Sequence, residues 1–193
     1  MKYSNTINLV DQEESKLEFK RWSGHGLVSL GLVNPKSATN VASILRACGC
    51  YGASAVFYTG QRFGYAKDFN ADTKKMRHII PTIGVDSLLA IAPKGSSKVV
   101  IELVEGAIPL PEFEHPENAF YIFGPEDASV PEEILNACDH VVYIPTRNSM
   151  NLAATANVVL YDRMAKSDYN ASDDLIKKSR DNNNNMKVAP YRQ

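Results

Sequence analysis

The sequence predicts an α/β fold in which a mostly parallel sheet is flanked by helices. From Gly26 onward, short runs rich in Val, Ile, Phe and Tyr alternate with helix-like segments, which is the pattern of parallel βαβ units. These runs are apolar at nearly every position, as expected of strands that are covered on both faces. With 193 residues, the chain is long enough to form one domain with a sizeable core.

Six strands and four helices follow in order along the domain. The strands are predicted at LVSLGLV (27–33), 54–59, 78–84, 98–104, 119–124 and 140–145. A helix at ATNVASILRACGCYG (38–52) ends at a glycine, and the last helix spans residues 149–166. A short helix at 86–92 is expected to have Asp86 as its N-cap, and Ser129 with Glu132 is expected to form a capping box for the next helix.

The chain divides into three regions. Residues 1–24 are a polar N-terminal extension, residues 25–167 form the folded domain, and residues 168–193 form an Asn-rich C-terminal tail that is expected to be disordered.

Composition excludes several classes of protein. The net charge of −1 and the 22% of charged residues are ordinary for a globular chain. No apolar run is long enough to span a bilayer, and the polar start is unlike a signal peptide. Cys48, Cys50 and Cys138 lack the spacing of a disulfide framework, and the four histidines are scattered. We therefore expect a cytoplasmic protein with reduced thiols, no membrane segment and no metal site.

The first helix carries a single charged residue. Arg46 is the only one between Ala38 and Gly52. A helix that is apolar nearly all round should be buried, and a buried guanidinium needs an anionic partner. Two interpretations stay open, namely an internal ion pair with a carboxylate and an Arg46 that lines a cleft and meets a phosphate.

Two loops that follow strands are also unusual. The strand at 119–124 runs into Gly124-Pro125-Glu126, and loops at the carboxyl ends of strands build the ligand crevice of α/β sheets. The polar segment 146–151 precedes ten residues, 152–161, without a charge. A helix cap explains one of these polar residues but not the cluster. The uncharged helix must cover the sheet with one face, and a partner subunit is the natural cover for the other.

Other common site motifs are missing. No G-x-G-x-x-G follows the first strand, and the chain contains no G-x-x-x-x-G-K-[ST] and no G-x-S-x-G. Cys48 and Cys50 lie in an apolar helix, which argues against a nucleophilic thiol.

Taken in order, three segments resemble the motifs of the SpoU/TrmH family of the SPOUT superfamily of RNA methyltransferases. NPKSATNVASILRACGCYGA resembles motif 1, FYIFGPEDASVP motif 2 and YIPTRNSMNLAATANVVLYDR motif 3. The resemblance extends from about Gly26 to Lys166 and implies a C-terminal deep trefoil knot, S-adenosylmethionine as cofactor and a homodimer. Two departures from the motifs affect loop shape: the glycine frequent between Pro145 and Ser149 is absent, and Ser129 replaces a motif 2 glycine.

The resemblance also implies a site and an activity. The implied cofactor-binding residues are Leu103, Gly124, Glu126, Ile144, Ser149, Met150 and Leu152. The implied catalytic residues, contributed partly across the dimer, are Asn40, Arg46, Ser149 and Asn151. The activity would be methyl transfer to a ribose 2′-hydroxyl of tRNA or rRNA. A non-catalytic RNA-binding relative and an RNA base methyltransferase on the same fold are the alternatives.

RNA recognition is expected in the basic segment after the second strand. Phe63 and Tyr65 lie among its cations and can stack on an extruded base, although ordinary anchoring of the loop is the alternative. The predicted RNA-binding residues are Arg62, Phe63, Tyr65, Lys67, Lys74, Lys75 and Arg77.

Overall fold

A parallel sheet forms the centre of the structure, a computed structural model that describes residues 26–65, 76–169, 171–180 and 183–187. Its seven strands are β1 (Val28–Leu32), β2 (Ala55–Tyr58), β3 (Thr82–Gly84), β4 (Ser97–Ile101), β5 (Ile108–Pro109), β6 (Ala119–Phe123) and β7 (His140–Tyr143). They are arranged in the order β3-β2-β1-β6-β4-β7-β5, and every neighbouring pair is parallel. The predicted α/β class is therefore confirmed.

Helices cover both faces of the sheet. They are α1 (Ala38–Tyr51), α2 (Arg62–Tyr65), α3 (Leu88–Ile91), α4 (Glu132–Ala137), α5 (Leu152–Ala165) and α6 (Asp173–Ser179), with 3-10 helices at Met76–His78 and Leu110–Glu112. The side chains of the fully buried strand β6 alternate between two apolar clusters. Ala119, Tyr121 and Phe123 join the cluster that contains residues of α1 and α5. Phe120 and Ile122 join the cluster under α3 and α4.

The six predicted strands are present, mostly shorter than expected, while the two-residue strand β5 was not predicted. The N-caps predicted for α3 and α4 are wrong, whereas Ser37 caps α1. Ser87, one residue after Asp86, caps α3 by accepting a hydrogen bond from the Ala90 N–H. Helix α4 begins directly after Pro131, so Glu132 occupies the first helical position and not the third, which the capping box with Ser129 requires.

An N-terminal extension and a C-terminal tail were predicted on either side of the folded domain. The predicted N-terminal extension lies outside the described residues, and the predicted tail contains the short helix α6, which sequence analysis did not anticipate. None of the described helices is long and apolar enough to cross a membrane. The trefoil knot that the resemblance implies remains a prediction.

A buried polar network fastens the segment before β6 to the end of α5. The two ring nitrogens of His115 lie 2.6 Å from the Tyr121 hydroxyl and 2.9 Å from an Asp162 carboxylate oxygen. Arg163, buried near the end of α5, donates hydrogen bonds to the carbonyl oxygens of Pro116 and Glu117 at 2.5 and 2.6 Å. These bonds keep α5 in place, and the N-terminus of α5 forms part of the site described next.

Candidate functional site

A cavity of about 490 Å³ opens where β4, β6 and β7 end. The three strands are neighbours in the sheet, so the loops that follow them converge at one edge. The N-terminal turns of α1 and α5 complete the wall with Asn40, Leu152 and Thr155. This is the position at which open parallel sheets bind ligands.

All seven residues predicted to bind the cofactor line this one cavity. Leu103 follows β4, Gly124 and Glu126 follow β6, and Ile144 follows β7. Ser149, Met150 and Leu152 come from the loop before α5 and its first residue. Residues that are up to 49 positions apart in the sequence (152 − 103) are therefore brought together as the resemblance implied.

Three of the four predicted catalytic residues line the same cavity. Asn40, Ser149 and Asn151 belong to it, and Asn151 is also the N-cap of α5, because its side-chain oxygen accepts a 2.7 Å hydrogen bond from the Ala154 N–H. Asn151 therefore both caps α5 and forms part of the cavity wall.

Arg46 lies elsewhere. It is exposed and does not line the cavity of its own chain. The expectation that α1 buries this residue is wrong, because only one side of α1, with Val41, Ile44, Leu45, Ala47 and Cys48, faces the core. Arg46 forms no ion pair within the part of the chain that the structure describes. An internal carboxylate partner is therefore absent from those residues.

Glu126 joins the first and second motifs. Its carboxylate accepts hydrogen bonds from the Lys36 N–H at 2.8 Å, the Ser37 N–H at 3.0 Å and the Asn40 side-chain amide at 3.1 Å. Burial alone would raise the pKa of Glu126, but these hydrogen bonds act in the opposite direction and together hold the pKa below its ordinary value. The residue therefore presents an ionised carboxylate that fixes the start of α1 and the orientation of Asn40.

Glu102 is a cavity residue that sequence analysis missed. Its two carboxylate oxygens accept hydrogen bonds from the Leu103 N–H and the Val130 N–H, each at 2.9 Å. The loop after β4 is thereby tied to the loop after β6. The position of Glu102 in the sequence could have indicated this role, because Glu102 is the first residue after the apolar strand β4.

Gly124 lines the cavity at a close approach of two other residues. A Cβ atom at this position would lie 3.0 Å from Cγ2 of Val130 and 3.2 Å from Oε2 of Glu102. A larger residue would therefore push against the same carboxylate that joins the two loops.

Arg62 was predicted to bind RNA, but in the structure its side chain binds other residues of the protein. One terminal nitrogen donates to both carboxylate oxygens of Asp127 at 2.9 Å. The other terminal nitrogen and Nε donate to the Asn34 carbonyl oxygen at 2.6 and 3.1 Å. Lys36 adds a second ion pair to Asp127 at 3.5 Å.

The remaining predicted RNA-binding residues are placed only in part. The half-buried ring of Phe63 packs edge-on against Tyr58, with 5.0 Å between ring centroids. Tyr65 lies in α2 and Arg77 in the first 3-10 helix. Lys67, Lys74 and Lys75 lie outside the described residues. RNA binding by this set stays a prediction.

The thiols do not supply a nucleophile to the cavity. Burial raises the pKa of the Cys48 thiol to about 12 and is the main reason that the pKa of Cys138 is raised to about 11. Neither cysteine lines the cavity. Both thiols are therefore protonated near neutral pH, which makes them poor nucleophiles.

These features define an α/β protein whose ligand cavity lies at the carboxyl ends of parallel strands. The model of one family, described as the SpoU rRNA Methylase family, matches residues 27–161. The chain belongs to this family and is an RNA methyltransferase of the SpoU type. A comparison with curated proteins finds no match.

Several solved structures share this fold. The TrmH/SpoU tRNA modifying enzyme of A. aeolicus is 22% identical with a TM-score of 0.63, over 70% of this chain and 73% of that one. The AdoMet-bound rRNA methyltransferase of Sinorhizobium meliloti is 19% identical with a TM-score of 0.63, over 73% of this chain and only 57% of that one. A protein studied for 2-OH methylation of C/U34 on tRNA is 22% identical with a TM-score of 0.62, over 72% of this chain and 94% of that one. At these identities the likeness concerns the fold.

Proposed function

We propose that the protein transfers a methyl group from S-adenosylmethionine to a ribose 2′-hydroxyl of tRNA or rRNA. The observation that carries the proposal is the cavity itself, which is lined by the seven predicted cofactor residues and by Asn40, Ser149 and Asn151. The same observation argues against a non-catalytic relative, because these polar side chains line a formed cavity.

The cavity fits such a cofactor in size and chemistry. Its volume of about 490 Å³ lies within the usual range for small-molecule sites. Leu103, Ile144 and Leu152 offer apolar walls for a planar base, and the ends of three strands offer backbone N–H and C=O groups. When bound, the cofactor supplies a methyl group activated by a sulfonium. Two of the neighbours named here, from A. aeolicus and S. meliloti, are described respectively as a tRNA modifying enzyme and as an AdoMet-bound rRNA methyltransferase.

The protein has to orient the ribose and manage the proton of its hydroxyl. The Asn40 amide nitrogen is bound to Glu126, so its carbonyl oxygen is the atom that can accept a hydrogen bond from the 2′-hydroxyl. Ser149 and Asn151 line the same cavity as Asn40 and can position the same sugar. An arginine remains charged at neutral pH, so its role is to stabilise the developing alkoxide and not to act as a base.

We assign that arginine to the partner subunit of a homodimer. Along α5, Ala154, Val158, Tyr161 and Ala165 are not buried and carry no charge, and Tyr161 is 56% exposed. Tyr161 contacts Tyr51 of α1, so the two helices form one continuous outer surface. A two-fold axis at this surface would cover the apolar stripe and bring Arg46 of the partner subunit towards the cavity.

Recognition of RNA would use the predicted basic segment, including Lys67, Lys74 and Lys75, together with the dimer surface. A reducing, cytoplasmic setting suits this role, and the cysteines of the described residues are free.

The first experiment tests the reaction. The full chain is incubated with S-adenosylmethionine labelled in the methyl group and with total RNA from cells that lack the gene. We expect label in RNA, and an alkali-resistant dinucleotide after hydrolysis, because a methylated 2′-oxygen cannot attack the adjacent phosphodiester. Labelled mononucleotides alone would instead identify a base methyltransferase, and absence of transfer to any RNA would contradict the proposal.

The second experiment tests the shared site. Arg46→Ala and Ser149→Ala should each reduce methyl transfer about 100-fold, because each removes a group that acts on the reacting sugar. Mixing the two variants after subunit exchange should restore about a quarter of wild-type activity, because half of the random dimers carry one intact site of two. Activity that stays at the level of the separate variants would show that Arg46 acts within its own chain or not at all.

A further inference from the structure

The Arg62 side chain connects the loops that follow three different strands. It is placed by α2, after β2, and binds the Asn34 carbonyl oxygen after β1 and the Asp127 carboxylate after β6. Asn34 begins the segment that leads into α1, and Asp127 follows Glu126 directly. The guanidinium therefore binds the two segments that the hydrogen bond between Glu126 and Asn40 also joins.

We propose that Arg62 is a positioning residue for methyl transfer, which holds the Glu126–Asp127 turn against residues 34–40 and does not bind an RNA phosphate. The proposal extends the proposed function, because it names a residue outside the cavity on which the cavity depends. It also assigns Arg62 a role that differs from the RNA contact predicted from sequence.

The geometry favours this role over phosphate binding. Nε and both terminal nitrogens of Arg62 are already used in bonds of 2.6 to 3.1 Å to Asn34 and Asp127. The side chain is only 33% exposed, and Asp127 places a negative charge beside the guanidinium. A phosphate would have to displace that carboxylate. An arginine whose three nitrogens all donate to internal acceptors is instead suited to fixing geometry, because its planar fork allows few orientations.

The consequence for the site follows from the next residue along the chain. Glu126 accepts hydrogen bonds from the Lys36 N–H, the Ser37 N–H and the Asn40 side chain. All three require the 126–127 turn to lie close to the start of α1. If Asp127 loses Arg62, the turn loses two hydrogen bonds of 2.9 Å and keeps the longer 3.5 Å ion pair with Lys36, whose side chain is 64% exposed. A long pair with so exposed a partner contributes little. Asn40 should then lose its fixed orientation.

The test compares variants that separate charge from geometry. Arg62→Lys keeps the charge but loses the fork, Arg62→Gln loses both, and Asp127→Asn removes the negative charge and one of the two acceptor oxygens. Lys94→Gln, at an exposed position between α3 and β4, is the matched control for loss of one positive charge. Each is assayed with labelled S-adenosylmethionine and RNA from cells that lack the gene.

We expect all three site variants to lower kcat about tenfold or more with little change in KM for RNA. The double variant Arg62→Gln with Asp127→Asn should be no worse than either single change, because both break one contact. A phosphate contact would give the opposite pattern. Arg62→Lys would be close to wild type, and Asp127→Asn would bind RNA more tightly. Arg62→Gln would have a raised KM for RNA, and the salt dependence of this KM would fall by about one counterion. That pattern would overturn the proposal.

A second measurement does not depend on activity. Amide hydrogen exchange at Lys36 and Ser37, whose N–H groups are bound by Glu126, should accelerate in Arg62→Lys and Arg62→Gln and stay unchanged in Lys94→Gln. Amides of the buried strand β6 serve as the internal reference for intact folding. Unchanged exchange at Lys36 and Ser37 would refute the positioning role. If the wild type transfers no methyl group, the proposed function fails, and this exchange experiment still decides the role of Arg62.

Discussion

The side-chain amide of Asn40 donates a 3.1 Å hydrogen bond to the carboxylate of Glu126, which joins α1 to the loop after β6. The bond fixes which end of the Asn40 amide faces the cavity. Two backbone N–H groups, of Lys36 and Ser37, share the same carboxylate. Glu126 thus acts on the site through the residues that it holds.

Glu126→Gln is the first prediction. The neutral amide has one acceptor oxygen in place of two, so at least one of the three donors loses its partner. We expect a loss of about 1 kcal/mol in the free energy of unfolding and a fall in kcat of about tenfold. Urea unfolding and the labelled-methyl assay measure these effects. Glu114→Gln, at an exposed position remote from the cavity, is the control, and equal effects in both variants would contradict the assignment.

Glu102 supplies the second prediction. Glu102→Ala should weaken cofactor binding about tenfold or more, because the N–H groups of Leu103 and Val130 lose their acceptor and the two loops around the cavity separate. Glu102→Gln retains an acceptor and should bind more tightly than Glu102→Ala. Calorimetric titration with S-adenosylmethionine measures both affinities. Glu105→Ala, in the exposed turn after β4, should bind like the wild type, and an equal loss there would argue against a specific role for Glu102.

The third prediction concerns the outer face of α5. Tyr161→Asp places a charge on the uncharged stripe and should convert a dimer to monomers, with loss of methyl transfer, because a buried unpaired charge is costly. Tyr169→Asp changes a tyrosine of similar exposure, 46% against 56%, outside α5, and should leave the dimer intact. Sedimentation velocity distinguishes the two variants. A dimeric Tyr161→Asp variant would place the subunit interface on another surface.

The fourth prediction is a pH dependence of stability. Burial is the main cause that lowers the pKa of His115 below its ordinary value of 6.5, although the Asp162 carboxylate acts in the opposite direction. As the pH falls below this value, the unfolded chain takes up a proton that the folded protein resists, so the free energy of unfolding should decrease. In His115→Gln this decrease should be smaller, whereas the exposed His78→Gln should behave like the wild type. Urea unfolding between about pH 7.5 and about pH 5 measures the slopes, and identical slopes would contradict the prediction.

The strands and the cavity could be predicted from sequence because their signals are local. Runs such as 119–123 are apolar on both faces, and the polar residues that follow them mark the strand ends. Cavity membership of Ser149 and Leu152 came from the third family motif. Leu103 lies outside the three motif segments and was placed in the pocket as a residue at the end of the predicted fourth strand.

The errors arise where neighbouring groups compete or where tertiary surroundings decide. Ser87 replaced Asp86 as a cap because a shift of one residue is not visible in composition. Arg46 was expected to be buried because it is the only charged residue of an otherwise apolar helix. The sequence of such a helix does not show whether its outer side is covered by the same chain or by a second subunit. Glu102 belongs to no motif, and only the approach of Val130 shows its function.

The pairing of β1 with β6 also constrains how the protein is made. These strands are separated by more than 80 residues, and α5, which contributes the last part of the cavity wall, comes later still. Contacts between such distant segments form late and slowly. A nascent chain on the ribosome therefore has no complete binding site until α5 has emerged, so the capacity to bind a ligand reports that synthesis of the whole domain is finished.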